Sequence, residues 1–279
     1  MSALKEPLLA TYGHGTKNDF LLLFDPSNDL ELQPSEIAAM CDRGSGIGAD
    51  GIIRIGRDQT GSHWFMDYRN RDGSLAEMCG NGIRVMAKYL VEHGHQDSGI
   101  FPINTRAGMK YLAVPDQGDI SVNMGQVEQI PGAITVSTNG HSWDGVNINV
   151  GNPHAVVEVG NLNDVGALTL SPDVAPEDSY PEGVNVEFIV FRQDGEIDMR
   201  VYERGVGETQ SCGTGTCAVA LAATLIKGKR LPSTWYINPP GGRLKVEIDS
   251  HYNATLTGPA VLLEDHDVTQ FLSSSLGQV

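Results

Sequence analysis

The sequence predicts an α+β fold of two homologous lobes related by a pseudo-twofold, each a curved, mostly antiparallel sheet or barrel around one central helix. Three observations carry this. The chain repeats itself once, most of its apolar runs are short and strand-like, and each half holds one stretch of helical character. The repeat has four anchors, in the same order and at an offset constant to within one residue. Asn18-Asp19-Phe20 matches Asn152-Pro153-His154. Asp67-Tyr68-Arg69 through Cys79-Gly80-Asn81-Gly82 matches Val201-Tyr202-Glu203 through Cys212-Gly213-Thr214-Gly215. Asn104 to Gly108 matches Asn238 to Gly242, and Gly125 matches Gly258.

In chain order, the apolar run from Leu21 to Phe24 and the segment from Trp64 to Tyr68 open the first lobe as strands. Ile83, Met86, Ala87, Leu90 and Val91 then follow the i, i+3, i+4, i+7, i+8 stripe of an amphipathic helix, with Gly94 as its stop. Met109 to Val114 and Ile120 to Met124 return to strand character. The turn residues from Ile130-Pro131-Gly132 to Asn139-Gly140 suit a linker, which gives an N-terminal lobe over 1–130 and a C-terminal lobe over 131–279. The last strand is free to return to the first lobe. In the second lobe Ala155 to Val159, Val146 to Val150, Val186 to Phe191, Ile197 to Val201, Leu244 to Ile248 and Ala254 to Leu256 read as strands. Cys217 to Ile226 is apolar almost all round, which at this length means a helix enclosed by protein, stopped by Gly228.

Composition narrows the function. Nineteen Lys and Arg against 35 Asp and Glu give a net charge of −16, which excludes a partner built on a phosphate backbone or an anionic lipid surface and points to a small-molecule substrate. No apolar run approaches the ~20 residues of a membrane helix, and the start has no secretory h-region, so a cytoplasmic location is expected. The four cysteines are too few for a disulfide framework. Cys41 and Cys217 read as small buried hydrophobes.

Cys79 and Cys212 read differently. Each opens a helix, where unpaired N–H groups and the positive dipole end favour a thiolate and attract a carboxylate. The glycines that follow let a ligand approach the backbone. One thiol per lobe, brought to opposite sides of one cleft, meets the requirement of inverting a stereocentre: one base removes a proton and a conjugate acid delivers another to the opposite face. Racemisation or epimerisation follows. A zinc site is disfavoured, because Cys212 and Cys217 are separated by four residues and lack a second knuckle. Arg43-Gly44-Ser45-Gly46 does not fit the Gly-x-Ser-x-Gly elbow of a hydrolase and reads as a flexible turn. Asn18 and Asn152 each begin a strand at equivalent places, and Asn70 and Glu203 each stand nine residues before a cysteine. Glu203 and Arg204 fit a ligand contact or a surface ion pair equally well. His154 fits a satisfied core histidine or a group that tunes a thiol.

With these motifs in place, the sequence resembles the diaminopimelate epimerases over nearly its whole length. The resemblance rests on His14-Gly15-Thr16-Lys17-Asn18-Asp19-Phe20, Asp42-Arg43 with Gly46-Ile47-Gly48-Ala49-Asp50-Gly51, Asn70-Arg71-Asp72-Gly73-Ser74 and Met78-Cys79-Gly80-Asn81-Gly82. It continues through Gly151-Asn152-Pro153-His154, Gly183-Val184-Asn185, Tyr202-Glu203-Arg204-Gly205 and Ser211-Cys212-Gly213-Thr214-Gly215. It implies cofactor-independent interconversion of LL- and meso-2,6-diaminopimelate, in lysine and peptidoglycan-precursor biosynthesis, with Cys79 and Cys212 as the acid/base pair and no metal. It further implies that Asn18, Asn70, Asn152, Asn185, Glu203 and Arg204 hold the substrate's distal amino acid end and carboxylates. Gly80, Asn81, Gly213 and Thr214 would cradle the reacting carboxylate, His154 and Glu203 would adjust the thiols, and the enzyme would be a homodimer. Two positions depart from the family pattern: Gly51 stands where some members carry Gln, so no binding role is transferred there, and Arg71 replaces a smaller residue at the rim. Proline racemase-like and phenazine-biosynthesis-like isomerases share the two-lobed plan, but the Asn-rich surroundings and the Cys-Gly-Asn-Gly turn favour the diaminopimelate reading. A non-catalytic thiol sensor or amino acid binding module would keep the cleft and lose the proton exchange.

Overall fold

The computed structural model describes residues 7–272. The chain divides into two units: one runs to Ile120 and resumes at Ala260, the other spans Ser121–Pro259. The division lies ahead of the Ile130–Gly140 stretch. There Asn139 and Gly140, both at positive φ (51° and 76°), form a hairpin turn within the second unit, the conformation that Asn-Gly pairs adopt most readily.

The first unit is built from β1 (Leu9–Gly15), β2 (Asn18–Phe24), α1 (Pro34–Cys41), β3 (Gly51–Arg57), β4 (Trp64–Asn70), α2 (Gly80–Glu92), β5 (Gly99–Thr105) and β6 (Gly108–Val114). The strands lie side by side in chain order. β1/β2, β3/β4 and β5/β6 are antiparallel; β2/β3 and β4/β5 are parallel, because α1 and α2 carry the chain back between them. α2 packs against β1, β2, β3, β4 and β6, and Ile83, Met86, Ala87 and Leu90 are fully buried. The sheet therefore curls around the helix. α1 is an element the sequence reading did not expect. Its eight residues give too few turns for a readable stripe. It is started by Pro34 and by Glu36, whose Oε2 accepts the Gln33 N–H at 3.0 Å, and Ile37, Met40 and Cys41 pack into a core with Leu21, Leu23 and Ile52.

The second unit holds β7 (Ile120–Gln126), β8 (Glu128–Gln129), β9 (Ile134–Thr138), β10 (His141–Asn149), β11 (Pro153–Glu158), β12 (Asp173–Ala175), β13 (Asn185–Phe191), β14 (Glu196–Glu203), β15 (Gly207–Thr209), α3 (Gly213–Ile226), β16 (Ser233–Asn238), β17 (Leu244–Ile248) and β18 (Asn253–Gly258). Its sheet runs β12-β9-β10-β11-β13-β14-β16-β17-β18-β7, with β11/β13 and β14/β16 parallel. α3 packs against β10, β11, β13, β16, β17 and β18 and is buried from Gly215 to Thr224, as its apolar circumference requires. Both threonine hydroxyls buried in that helix are bonded: Thr216 Oγ1 gives its proton to Cys212 O (2.7 Å), and Thr224 Oγ1 gives its own to Ala220 O (2.8 Å) and accepts the Trp235 indole N–H (2.9 Å). The last strand, β19 (Val261–Asp267), belongs to the first unit and pairs antiparallel with β1, Leu9 opposite Asp267. Both units are thus α+β, with antiparallel pairs in the majority. Among the described residues no helix is long and apolar enough to cross a membrane.

Candidate active site

β4 ends at Asn70, and the loop after it delivers Cys79 to the start of α2. Cys79 is the N-cap, extended at φ −132° and ψ 120°, and its Sγ accepts the Gly82 N–H at 3.5 Å. A sulfur in this position takes one of the helix's orphan donors and sits at the positive end of its dipole. The thiol reaches Asn18 Oδ1 at 3.5 Å, and Asn81 Nδ2 donates to the same oxygen at 3.2 Å. Asn81 Oδ1 in turn accepts from Thr16 Oγ1 (3.3 Å) and from Nη2 of the fully buried Arg84 (3.1 Å), whose Nη1 holds Gly80 O at 2.9 Å. Behind Gly82 the wall is apolar: a Cβ there would meet Ile53, Met66 and Phe20.

Asn18 is steered from outside. Its Nδ2 donates to Asp50 Oδ2 (2.8 Å), and Arg43 ties Asp50 to Asp19, each at 2.8 Å. Burial pushes the Asp19 carboxyl up, but Arg43, the Tyr12 hydroxyl and the Asp50 N–H together hold it below the usual carboxylate range. Burial and Asp19 push the Tyr12 hydroxyl up to about 12. The Arg43-Gly44-Ser45-Gly46 turn is held rather than flexible, because Asp42 Oδ1 accepts the N–H groups of Gly44 and Ser45, each at 2.7 Å. Asn70 closes its own turn, giving Nδ2 to Ser74 Oγ at 3.0 Å.

In the second unit β14 and β15 bring Cys212 to the start of α3. It is the N-cap at φ −120° and ψ 118°, and its Sγ accepts the Gly215 N–H at 3.4 Å and lies 3.5 Å from Thr214 Oγ1. Asn152 Nδ2 reaches Thr214 Oγ1 at 3.4 Å, while Asn152 Oδ1 faces His154 Nε2 at 3.0 Å. On its other side His154 meets Glu187 Oε1 at 2.7 Å, both side chains wholly buried. Glu203 accepts from Thr209 and hydrogen-bonds to the Cys212 thiol. Its carboxyl is raised, first by burial and then by Glu187, against the lowering effect of those two bonds and of His154. The Cys212 thiol is pushed well above its ordinary value by burial, then by Glu203 and Glu187. Asn185 donates to Pro153 O (3.0 Å) and accepts the Arg204 N–H (2.9 Å), tying β11 to the turn after β14. The Arg204 guanidinium turns to Glu182, donating to its carbonyl at 3.3 Å. Gly80 and Gly213 are the first residues of their helices.

Sequence reading missed Glu187 and Tyr180. Glu187 lies inside the apolar run Val186–Phe191, and Tyr180, pushed up to about 12 by burial and by Glu187, precedes it in a loop. One signal was available: a carboxylate on an otherwise apolar strand is buried only when it is paired. Among the described residues no group of three or more His, Cys, Asp or Glu stands placed to hold a metal ion.

The family model of diaminopimelate epimerase matches residues 10–130 and 146–263. The chain belongs to the diaminopimelate epimerase family. It is 44% identical to the diaminopimelate epimerase of Streptomyces coelicolor over 267 residues, covering 91% of this chain and 92% of that one. To the diaminopimelate epimerase of Corynebacterium glutamicum it is 41% identical over 264 residues, covering 90% and 94%. Among solved structures, a phenazine biosynthesis protein of the PhzF family from Bacillus anthracis superposes with a TM-score of 0.70 at 14% identity, covering 94% of this chain and 98% of that one. A hydroxyproline epimerase from Agrobacterium vitis gives 0.68 at 16%, covering 94% and 92%. Diaminopimelate epimerases are isomerases, and the two remote structures share the fold at identities where sequence resemblance has faded.

Proposed function

We propose that this family member interconverts LL- and meso-2,6-diaminopimelate by a two-thiol mechanism that needs no cofactor. The observation that supports it most is the duplicated one: each repeat caps a buried helix with a cysteine whose sulfur takes a helix N–H, at 3.5 Å from Gly82 and 3.4 Å from Gly215. In the direction that starts with Cys79 as base, its thiolate takes the α-proton and becomes a thiol. The S–H of Cys212 then gives its proton to the opposite face of the carbanion and becomes the thiolate; the reverse direction exchanges the roles. Burial beside two carboxylates suits Cys212 to rest as the acid. Gly80, Asn81, Gly213 and Thr214 cradle the reacting carboxylate, where helix N–H donors stabilise the charge that develops on it. Asn18, Asn70, Asn152, Asn185, Glu203 and Arg204 hold the distal end, and His154 and Glu203 tune the second thiol. The reading places the enzyme in lysine and peptidoglycan-precursor biosynthesis, as a cytoplasmic homodimer.

Deuterium incorporation from solvent at the α-carbon of LL-diaminopimelate, under reducing conditions, tests the mechanism. Cys79→Ser and Cys212→Ser are each expected to slow exchange with inversion by about 10²–10⁴-fold, the range of a positioned acid or base. Retained exchange in either variant removes the two-thiol mechanism, and binding without exchange in the unmodified protein identifies a binding module. Size-exclusion chromatography with light scattering checks the dimer.

A further inference from the structure

The hydrogen bonds around Cys212 have a direction. Both ring nitrogens of His154 face oxygen acceptors, Nδ1 towards Glu187 Oε1 at 2.7 Å and Nε2 towards Asn152 Oδ1 at 3.0 Å. Each of these contacts is a hydrogen bond only when the ring nitrogen donates, so the two together call for a proton on each nitrogen. A wholly buried imidazolium needs a counter-charge, and Glu187, equally buried, supplies it. The other oxygen of Glu187 and the hydroxyl of Tyr180 are buried without hydrogen-bond partners, so among the described residues His154 is the carboxylate's one hydrogen-bond partner. With its oxygen engaged by His154, Asn152 offers Nδ2 to Thr214 Oγ1 at 3.4 Å. Thr214, accepting there, has its own O–H left to give, and Cys212 Sγ stands 3.5 Å away.

The fold itself does not require this chain of groups. Strand registers make Phe20 the repeat equivalent of His154 and Ile53 the equivalent of Glu187, so the first unit builds the same strands with apolar side chains at both places. A buried ion pair gives little net stability over well-packed apolar residues of similar size. Its presence beside one thiol alone points to a use at that thiol.

We propose that Glu187 is a positioning residue: by holding His154 doubly protonated it fixes a one-way chain of donors, through Asn152 and Thr214, that ends on the Cys212 sulfur. This deepens the two-thiol reading and rests on it for its catalytic meaning. The chain stabilises the Cys212 thiolate at the moment it forms. Glu203, approaching from β14, and the Glu187 charge oppose that thiolate, and Tyr180 is the other titratable group beside Glu187.

Glu187→Gln keeps the shape and removes the charge that holds the second proton on His154. The readouts are the pH profile of iodoacetamide alkylation at Cys212, followed by peptide mass in the full chain, and the nitrogen NMR of the His154 ring. If the charge of Glu187 acts only directly on the thiol, its removal moves the alkylation profile to lower pH. The donor chain predicts the opposite. His154 becomes singly protonated, and alkylation at neutral pH slows about tenfold, the profile moving up by roughly one pH unit. Thr214→Val, which removes only the hydroxyl, is expected to slow alkylation similarly while His154 keeps both protons. A Glu187→Gln profile that moves down or stays, in a variant with the circular dichroism of the parent, overturns the proposal. So does a singly protonated His154 in the unmodified protein, a measurement that stands even if the variant fails to fold. Neither readout uses turnover, so a failed exchange experiment and a failed donor chain remain distinguishable.

Discussion

Cys79 and Cys212 occupy equivalent helix caps in equivalent folds, yet their surroundings are built on opposite plans. Around Cys212 two of the polar groups, His154 and Glu187, are wholly buried beneath the thiol, and Glu203, half-buried, lies beside it. Around Cys79 the equivalent places hold Phe20, Ile53 and Asn70; the buried Arg84 is spent on Gly80 O and Asn81 Oδ1, and the Arg43, Asp19 and Asp50 network reaches the thiol through Asn18. A duplicated scaffold thus supports two different microenvironments, because three side chains beneath a helix cap can change while the backbone that makes the cap does not. The lesson is that symmetry of the nucleophiles does not imply symmetry of their chemistry.

The most severe way to break the comparison is to put the second unit's charge into the first. Ile53 is fully buried, and Ile53→Glu would leave a carboxylate there without a histidine opposite it. We expect a loss of about 3–5 kcal/mol in chemical unfolding, the scale of an uncompensated buried charge. Adding Phe20→His supplies the missing partner, so the double variant should be more stable than the sum of the two single changes predicts. A cost below about 1 kcal/mol for Ile53→Glu would mean that the first site is not the dry, apolar pocket its packing indicates.

Next in size is the pair of glycines that follow the caps. A Cβ at Gly215 would lie 2.5 Å from Glu187 Oε1, an atom fixed by its bond to His154, whereas one at Gly82 would meet the ends of Ile53, Met66 and Phe20, the nearest at 2.9 Å. Apolar side-chain ends can yield; a buried ion pair cannot. Gly215→Ala should therefore cost about 1–3 kcal/mol, as overpacking does, and Gly82→Ala less than about 1 kcal/mol, helped by the better helix propensity of Ala. Equal unfolding midpoints for the two variants would contradict the difference in rigidity.

The two caps were legible in the sequence, and the asymmetry between them was not. The repeat of Cys-Gly-x-Gly marks both thiols, and the helical stripe from Ile83 to Val91 and the apolar stretch from Cys217 to Ile226 place a helix behind each. Strands such as β6, β13 and β17 were readable from their apolar runs or alternation, whereas β1, β3, β5, β9 and β16 were not picked out. Glu187 was hidden because an apolar run reads as core whatever single residue interrupts it, and only the folded structure shows that its carboxylate meets His154 from the neighbouring strand. α1 escaped notice because eight residues show too little periodicity, and Asn139-Gly140 looked like a linker because a hairpin turn and a domain boundary use the same residues. Asn185 shows a further limit: the sequence singled it out, but its bonds to Pro153 and to the Arg204 backbone come from folding.

A smaller effect sharpens the comparison through pH. The Glu203 carboxyl is raised in the folded state, chiefly by burial, so it contributes stability that is full below the ordinary Glu range and lost as pH rises through the raised value. Glu203→Gln has no such loss. Urea midpoints measured upward from about pH 4.5 should therefore fall more steeply for the parent than for the variant. Parallel curves would show that the folded protein does not raise this carboxyl.

The smallest expected effect separates an exposed network from a buried one. The Arg43 side chain is 53% exposed, and its pairs with Asp19 and Asp50 reach Cys79 by holding Asn18 in place. Exposed pairs are worth about 0–1 kcal/mol and weaken with salt, so Arg43→Gln should change Cys79 alkylation by less than about fivefold. Raising the ionic strength should mimic the variant. The His154–Glu187 pair has no contact with water, so Cys212 alkylation should be nearly indifferent to salt. A salt response of equal size at both thiols would show that solvent ions reach the two sites alike, and the contrast between a buried plan and a rim plan would then be lost.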